Sequence, residues 1–160
     1  MTAFQRQVYT SVAPGVAGDP ATPDQAIYTP QNFLAGSGGV DAGAFAFAYT
    51  SAADTIAIAT GAGKPLGIVQ RNLSYPNYTL TSEGTLHIAE GEALTIAVKG
   101  DFWMQAPAAA TVGQKVYVDN TSGTISLNSA GATVSGSTET DWTVKTPATS
   151  GGMMIVSNWP

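Results

Sequence analysis

Charge is scarce in this 160-residue chain, with only 11% of residues charged, and cysteine is absent altogether. The missing cysteine excludes disulfides, thiolate metal sites and cysteine nucleophiles together, which leaves stability to packing and assembly. Six Lys and Arg stand against eleven acids, for a net charge of -5, and they are scattered from Arg6 to Lys145. Phosphate binding needs clustered cations that release counterions, so nucleic acid is not an expected partner. No apolar run approaches the ~18 residues of a membrane span, and the opening MTAFQRQVYT lacks the apolar core of a secretion signal. The reading is a protein made and kept inside the cell, in the cytoplasm, until assembly or lysis, with no membrane partner. No apolar period of 3.6 residues persists anywhere, so no amphipathic helix is expected.

Small residues are plentiful instead: Gly, Ala, Ser and Thr must cover most of the surface. About a quarter of residues are normally charged in a soluble domain, so this composition suits a surface shared with neighbours, or else a hydroxyl-rich thermostable or secreted β-protein. The length fits one domain, or one domain plus an arm, and suffices to bury roughly 70% of the unfolded surface. Residues 1–34 contain Phe4, Val8, Tyr9 and Val12 but are broken by Pro14, Pro20, Pro23 and Pro30. Such spacing forbids a long helix and interrupts a central strand, so the segment reads as an extended N-terminal arm, or as an edge strand with surface loops. Residues 35–160 read as the body.

The firmest pattern runs from Leu94 to Met104, with Leu94, Ile96, Val98, Phe102 and Met104 alternating against Thr95, Lys99, Asp101 and Trp103. A period of two sustained that far predicts one long strand with a buried face. Pro107 interrupts it before a second strand carrying Val116 and Val118, which predicts a hairpin with a long connection. Alternation also marks strands at Phe45–Tyr49, with aromatics on one face and flat alanines on the other, and at Ile56–Ile58, Leu66–Asn72 and Leu86–Ile88. Ile125–Leu127, Trp142–Val144 and Met153–Val156 follow. Asp119-Asn120-Thr121-Ser122-Gly123 is a turn by composition, residues 128–140 read as a long loop or mobile flap, and the end at Trp159 is expected to pack down. Eight or nine short strands make an all-β protein, a jelly-roll-like or Greek-key β-sandwich or barrel with an extended N-terminal arm.

Nothing in the chain assembles into a reactive constellation. Gly61-Ala62-Gly63-Lys64 imitates the end of a phosphate loop, but Ile58 stands where the earlier glycine belongs and Pro65 replaces the Ser or Thr. The lone His87 alternates onto a solvent face with no ligand partner near it in sequence, so no metal is expected. Glu90 with Glu92 and Glu139 with Asp141 are close pairs of the kind usual in solvated turns, whereas a glycosidase needs acids facing across a cleft. No catalytic residue and no cofactor is expected. A sugar-binding module would use exposed aromatics for stacking, and Tyr75, Tyr78, Trp103 and Trp142 are its candidates.

GDFW at 100–103 followed by ATVGQKVYVD at 110–119 resembles the corresponding stretch of the structural cement, or capsid decoration, proteins of tailed bacteriophages. AFQRQVY with APGVAGD at 3–19, KPLGIVQRN at 64–72 and GGMMIVSNWP at 151–160 agree in the same order and span nearly the whole chain. The resemblance implies a non-enzymatic virion protein on the outer surface of the head that clamps neighbouring major capsid proteins. It also implies a homo-oligomer, dimer or trimer. Phe4, Val8, Tyr9, Val12 and Trp103 are the expected capsid or subunit contacts. The alternative is a carbohydrate- or receptor-binding β-module of a phage fibre or secreted lectin.

Overall fold

The computed structural model describes residues 15–49, 56–74, 78–80 and 86–159, and among them every regular element is a strand. In chain order these are β1 (Ile27–Tyr28), β2 (Phe33–Ala35), β3 (Val40–Asp41), β4 (Phe45–Tyr49), β5 (Ile56–Ile58) and β6 (Gly67–Val69). There follow β7 (Tyr78–Leu80), β8 (Leu86–Ile88), β9 (Ala93–Leu94), β10 (Ile96–Lys99) and β11 (Asp101–Gln105). The last are β12 (Lys115–Asp119), β13 (Ile125–Asn128), β14 (Ser137–Val144) and β15 (Met153–Ser157).

The largest sheet runs β1-β10-β6-β4-β5-β2-β9, and its register shows that it closes on itself. β9 and β10 are pieces of one run separated only by Thr95, and β1 and β2 lie antiparallel along that run, with Ile27 opposite Lys99 and Phe33 opposite Leu94. A parallel pairing of β2 with β5 completes the circuit. Five strands enclose a narrow interior, and the sequence meets that limit with Ala35, Ala46 and Ala57 pointing inward beside Phe33, Val69, Leu94 and Ile96. The flat alanine face of β4 is therefore the lining of a barrel. Val40, Leu86 and Ile88 belong to the same buried cluster and come from the three-stranded sheet β3-β8-β7.

A second core lies between the barrel's outer flank and the five-stranded sheet β11-β15-β14-β12-β13. Phe45, Phe47 and Ile68 face Phe102, Met104, Val116, Trp142 and Val156 across it. Trp142 meets Phe45 and Phe102 edge-on, with ring centroids 6.4 and 6.0 Å away, the arrangement that aromatic quadrupoles favour. The all-β class is as expected.

The long strand and its hairpin are not. At Gly100 the chain leaves the barrel and enters the five-stranded sheet, so residues 94–104 form strands in two layers. β11 pairs with β15, and β12 pairs with β13 and β14. Gly100 has φ +143°, and a Cβ there would lie 2.9 Å from Phe102 Cε2 and 3.0 Å from Ala26 Cβ; only glycine makes this crossing without strain. Asn158 holds it, its Oδ1 accepting from Gly100 N at 3.1 Å while its Nδ2 donates to the Val98 carbonyl. Trp159 lies beside it under the Lys99 ammonium, 5.7 Å from the ring centroid, which ties down the chain end.

Two further expectations are revised. From residue 18 the segment read as an arm is part of the body: Gly18 N donates to Trp103 O, Ala21 N donates to Asp101 O, and Pro20 bridges Phe102. This strap covers the outer edge of β11, and β1 and β2 then join the barrel. The flap read over residues 128–140 is strand from Ser137 onward, and its remaining loop is tethered, because Gly131 N donates to Glu139 Oε2 at 2.8 Å.

Candidate functional site

The described segments that carried the family resemblance contribute to β11, to its sheet or to the barrel beside it; AFQRQVY lies outside the described residues. GDFW forms the crossover and β11, and GGMMIVSNWP supplies β15, paired from Asp101↔Ser157 to Gln105↔Met153. The strap from APGVAGD lies on the other edge, and its Asp19 Oδ1 reaches Arg71 Nη1 of KPLGIVQRN at 3.4 Å while Arg71 N donates to Gly18 O. β12, from ATVGQKVYVD, lies in the same sheet with Val116 and Val118 in its core. These motifs build the joint between barrel and sheet.

Trp103, the expected contact residue within the described part, belongs to this joint. It is half-buried on β11, and a Cβ on Gly15 would sit 2.2 Å from its Cδ1, so the strap backbone lies directly on the indole. Phe4, Val8, Tyr9 and Val12 lie outside the described residues. Of the sugar-stacking candidates, Trp142 is a core residue at 3% exposure and Trp103 is covered by the strap; Tyr75 and the Tyr78 side chain lie outside the described part. No aromatic platform forms from the two tryptophans.

The acidic pairs separate into structural roles. Glu139 accepts from Tyr117 Oη at 2.6 Å as well as from Gly131 N. The Tyr117 hydroxyl first, then the Gly131 amide, hold its carboxyl below the ordinary value of 4.5, because both stabilise the charged form. Burial, reinforced by Glu139, pushes the Tyr117 phenol above 10.0. Asp141, two residues on, instead pairs with Lys64 at 2.7 Å on an exposed face, where an ion pair is worth little. Asp119 accepts from Ser122 N and Thr121 N and from the Ser122 hydroxyl, which holds it below 3.8 and closes the turn expected there.

His87 has a partner that its sequence neighbourhood did not show. β3 pairs with β8 so that Asp41 lies opposite His87, with Nδ1 2.7 Å from Asp41 Oδ1. The pair is partly exposed, and among the described residues no group of three or more His, Asp or Glu gathers as a metal site. No helix among them is long and apolar enough to cross a membrane.

What sequence reasoning passed over is an open apolar trough of about 690 Å³ on the barrel's outer face, floored by Leu34, Tyr49, Ile56 and Ile58 with Glu90 on its rim. A hollow of similar size with more charged residues lies beside Trp159, lined by Thr22, Asp24, Asp101 and Lys145. Both are surfaces open to a partner. Within the hollow beside Trp159 the Thr22 hydroxyl donates to Asp101 Oδ2 at 3.0 Å.

A family model described as structural cement protein (E217 gp24/Pam3 gp6) matches residues 4–158. The chain belongs to this structural cement protein family. Among solved structures, the chain is similar to one in the structure titled "The capsid of Myoviridae Phage XM1", with TM-score 0.65 and 18% identity over 98% of both chains. At that identity the likeness speaks for the fold. No curated protein matches the cement protein. Family membership makes it a phage structural protein associated with the capsid and its place the virion, and Asp119, Glu139 and Asp141 serve a turn, a tether and an ion pair.

Proposed function

We propose that this cement protein binds the outer surface of the assembled phage head and clamps neighbouring major capsid proteins, without catalysing a reaction. The observation that carries the reading is the family match across residues 4–158, which takes in the whole body rather than one motif. The fold suits a clamp, because two cores share one glycine-pivoted joint and the surface is largely small and uncharged. A ligand that binds the shell and not its separated subunits stabilises the shell by mass action, by ~2.7 kcal/mol per site at a hundredfold excess over the dissociation constant. Repeated over a shell, that shifts assembly strongly.

The first fourteen residues are the proposed clamp, with Phe4, Val8, Tyr9 and Val12 as contacts. A homo-oligomer would present several such segments to one junction, gaining avidity. The test is to add purified protein to heads lacking it and to unassembled capsid subunits. Saturable binding to heads alone, with a raised temperature of head rupture, supports the reading. Equal binding to free subunits, or glycan binding by the isolated protein without head binding, refutes it.

A further inference from the structure

We propose that the bare end of the barrel's outer face, between β2, β4 and β5, docks an extended segment of the major capsid protein in which aliphatic side chains stand beside a lysine or arginine. The inference rests on the clamp reading above and names the surface of the body that completes it.

Alternation puts Phe45, Phe47 and Tyr49 on one face of β4, and the pairs Phe47↔Ile58 and Tyr49↔Ile56 continue that face onto β5. The parallel register Leu34↔Ile56 carries it to β2. At the Phe45 end the five-stranded sheet covers this face, and Phe45 and Phe47 are buried. At the other end no described element covers it, and Leu34 and Tyr49 are 42% and 54% exposed. Single exposed apolar residues need no explanation, but exposed Leu34 and Tyr49 with half-buried Ile56 and Ile58 between them make a patch of the sort that marks interaction sites. One wall of the trough is closely packed. A Cβ on Gly36 would fall 2.4 Å from Ile58 Cγ2 and 2.8 Å from Ile56 Cγ2, so backbone lies on the isoleucines and keeps the wall thin.

Charge decides the occupant. Among the described lining residues Glu90 is the only charged one, and it is exposed on the rim. An apolar floor with a single carboxylate at its edge favours aliphatic side chains followed by a cation and disfavours an acidic segment, since complementary charge sets register and rejects wrong partners.

The experiment places p-benzoylphenylalanine at position 49 and irradiates the protein on decorated heads. In parallel, head affinity is measured for the Leu34→Ser/Tyr49→Ser double variant, for Glu90→Lys, and for Val112→Ser as an exposed control outside the trough, with melting recorded for each. Support is a crosslink to a capsid peptide containing Lys or Arg, at least tenfold weaker binding by the double variant and by Glu90→Lys, and unchanged Val112→Ser, all with unchanged melting. If wild type binds heads but the trough variants bind equally, the trough is not the docking site and the clamp reading stands. A crosslink to a second copy, or to residues 1–14 of this chain, also overturns this proposal alone. Failure of wild type to bind heads overturns both.

Discussion

Gly100→Ala should loosen the joint between the two cores. The residue has φ +143°, a region that costs a residue with a Cβ ~1–3 kcal/mol. The new methyl must also fit within 2.9 Å of Phe102 Cε2 and 3.0 Å of Ala26 Cβ, and such overpacking adds ~1–3 kcal/mol. Against this, alanine has less freedom to lose from the unfolded chain, worth ~0.4–1 kcal/mol. The net is a destabilisation of about 3 kcal/mol, which for a domain of this size lowers the melting temperature by roughly 6–12 °C. Urea titration and thermal melting followed by tryptophan fluorescence measure it, since Trp142 and Trp103 flank the joint. Gly113→Ala is the internal control: it has φ +92° with nothing within 4 Å of the added methyl, so only the conformational cost applies and the loss should be about 1 kcal/mol. If Gly100→Ala loses less than Gly113→Ala, the crossover is not a constrained pivot.

Acid should weaken the fold in part through Glu139 and Asp119. Both carboxyls are held below their ordinary values of 4.5 and 3.8, so their contribution is present above those values and is lost as pH falls through the lower native ones. Glu139→Gln should flatten that part of the stability profile, measured by urea titration from pH 6 to 2.5; an unchanged slope would refute the tether. Tyr117 acts at the other end: its raised phenol pKa means that stability is full below 10.0 and declines as pH rises beyond it, and Tyr117→Phe should remove that decline. Trp142→Ala should cost ~3–5 kcal/mol in the same titration, because the indole is wedged between Phe45 and Phe102; a loss under 1 kcal/mol would contradict the core. His87→Ala should change stability by less than ~1 kcal/mol, the range for a partly exposed polar contact such as that with Asp41.

The strands were legible where one face is buried, because a period of two leaves a direct mark: Phe45–Tyr49, Leu86–Ile88 and Met153–Val156 all lie in observed strands. The crossover at Gly100 was hidden by the same signal. Ile96 and Phe102 keep the same alternating parity although one lines the barrel and the other the second core, and parity does not say which sheet a strand joins. Pairings such as β11 with β15, or Asp41 with His87, join residues roughly fifty positions apart, a distance over which alternation carries no information. The trough was hidden for a related reason. Tyr49, Ile56 and Ile58 share the pattern of a buried face with Phe45 and Phe47, and only the extent of the covering sheet leaves Tyr49 exposed and the isoleucines half-buried. The strap was missed because its prolines and glycines suggest irregular chain, whereas three of its backbone contacts to β11 need no regular strand.

The clamp itself is tested most directly by imaging heads with and without the protein by cryo-electron microscopy. A truncation lacking residues 1–14 belongs in the comparison and should stop there, because the strap that covers β11 begins immediately after. The expected result is density for the barrel and sheet on the outer surface at junctions between neighbouring capsid subunits, with occupancy falling for a truncated protein that still melts cooperatively. Density confined to the interior of a single capsid subunit's footprint, or none at all on saturated heads, would contradict it.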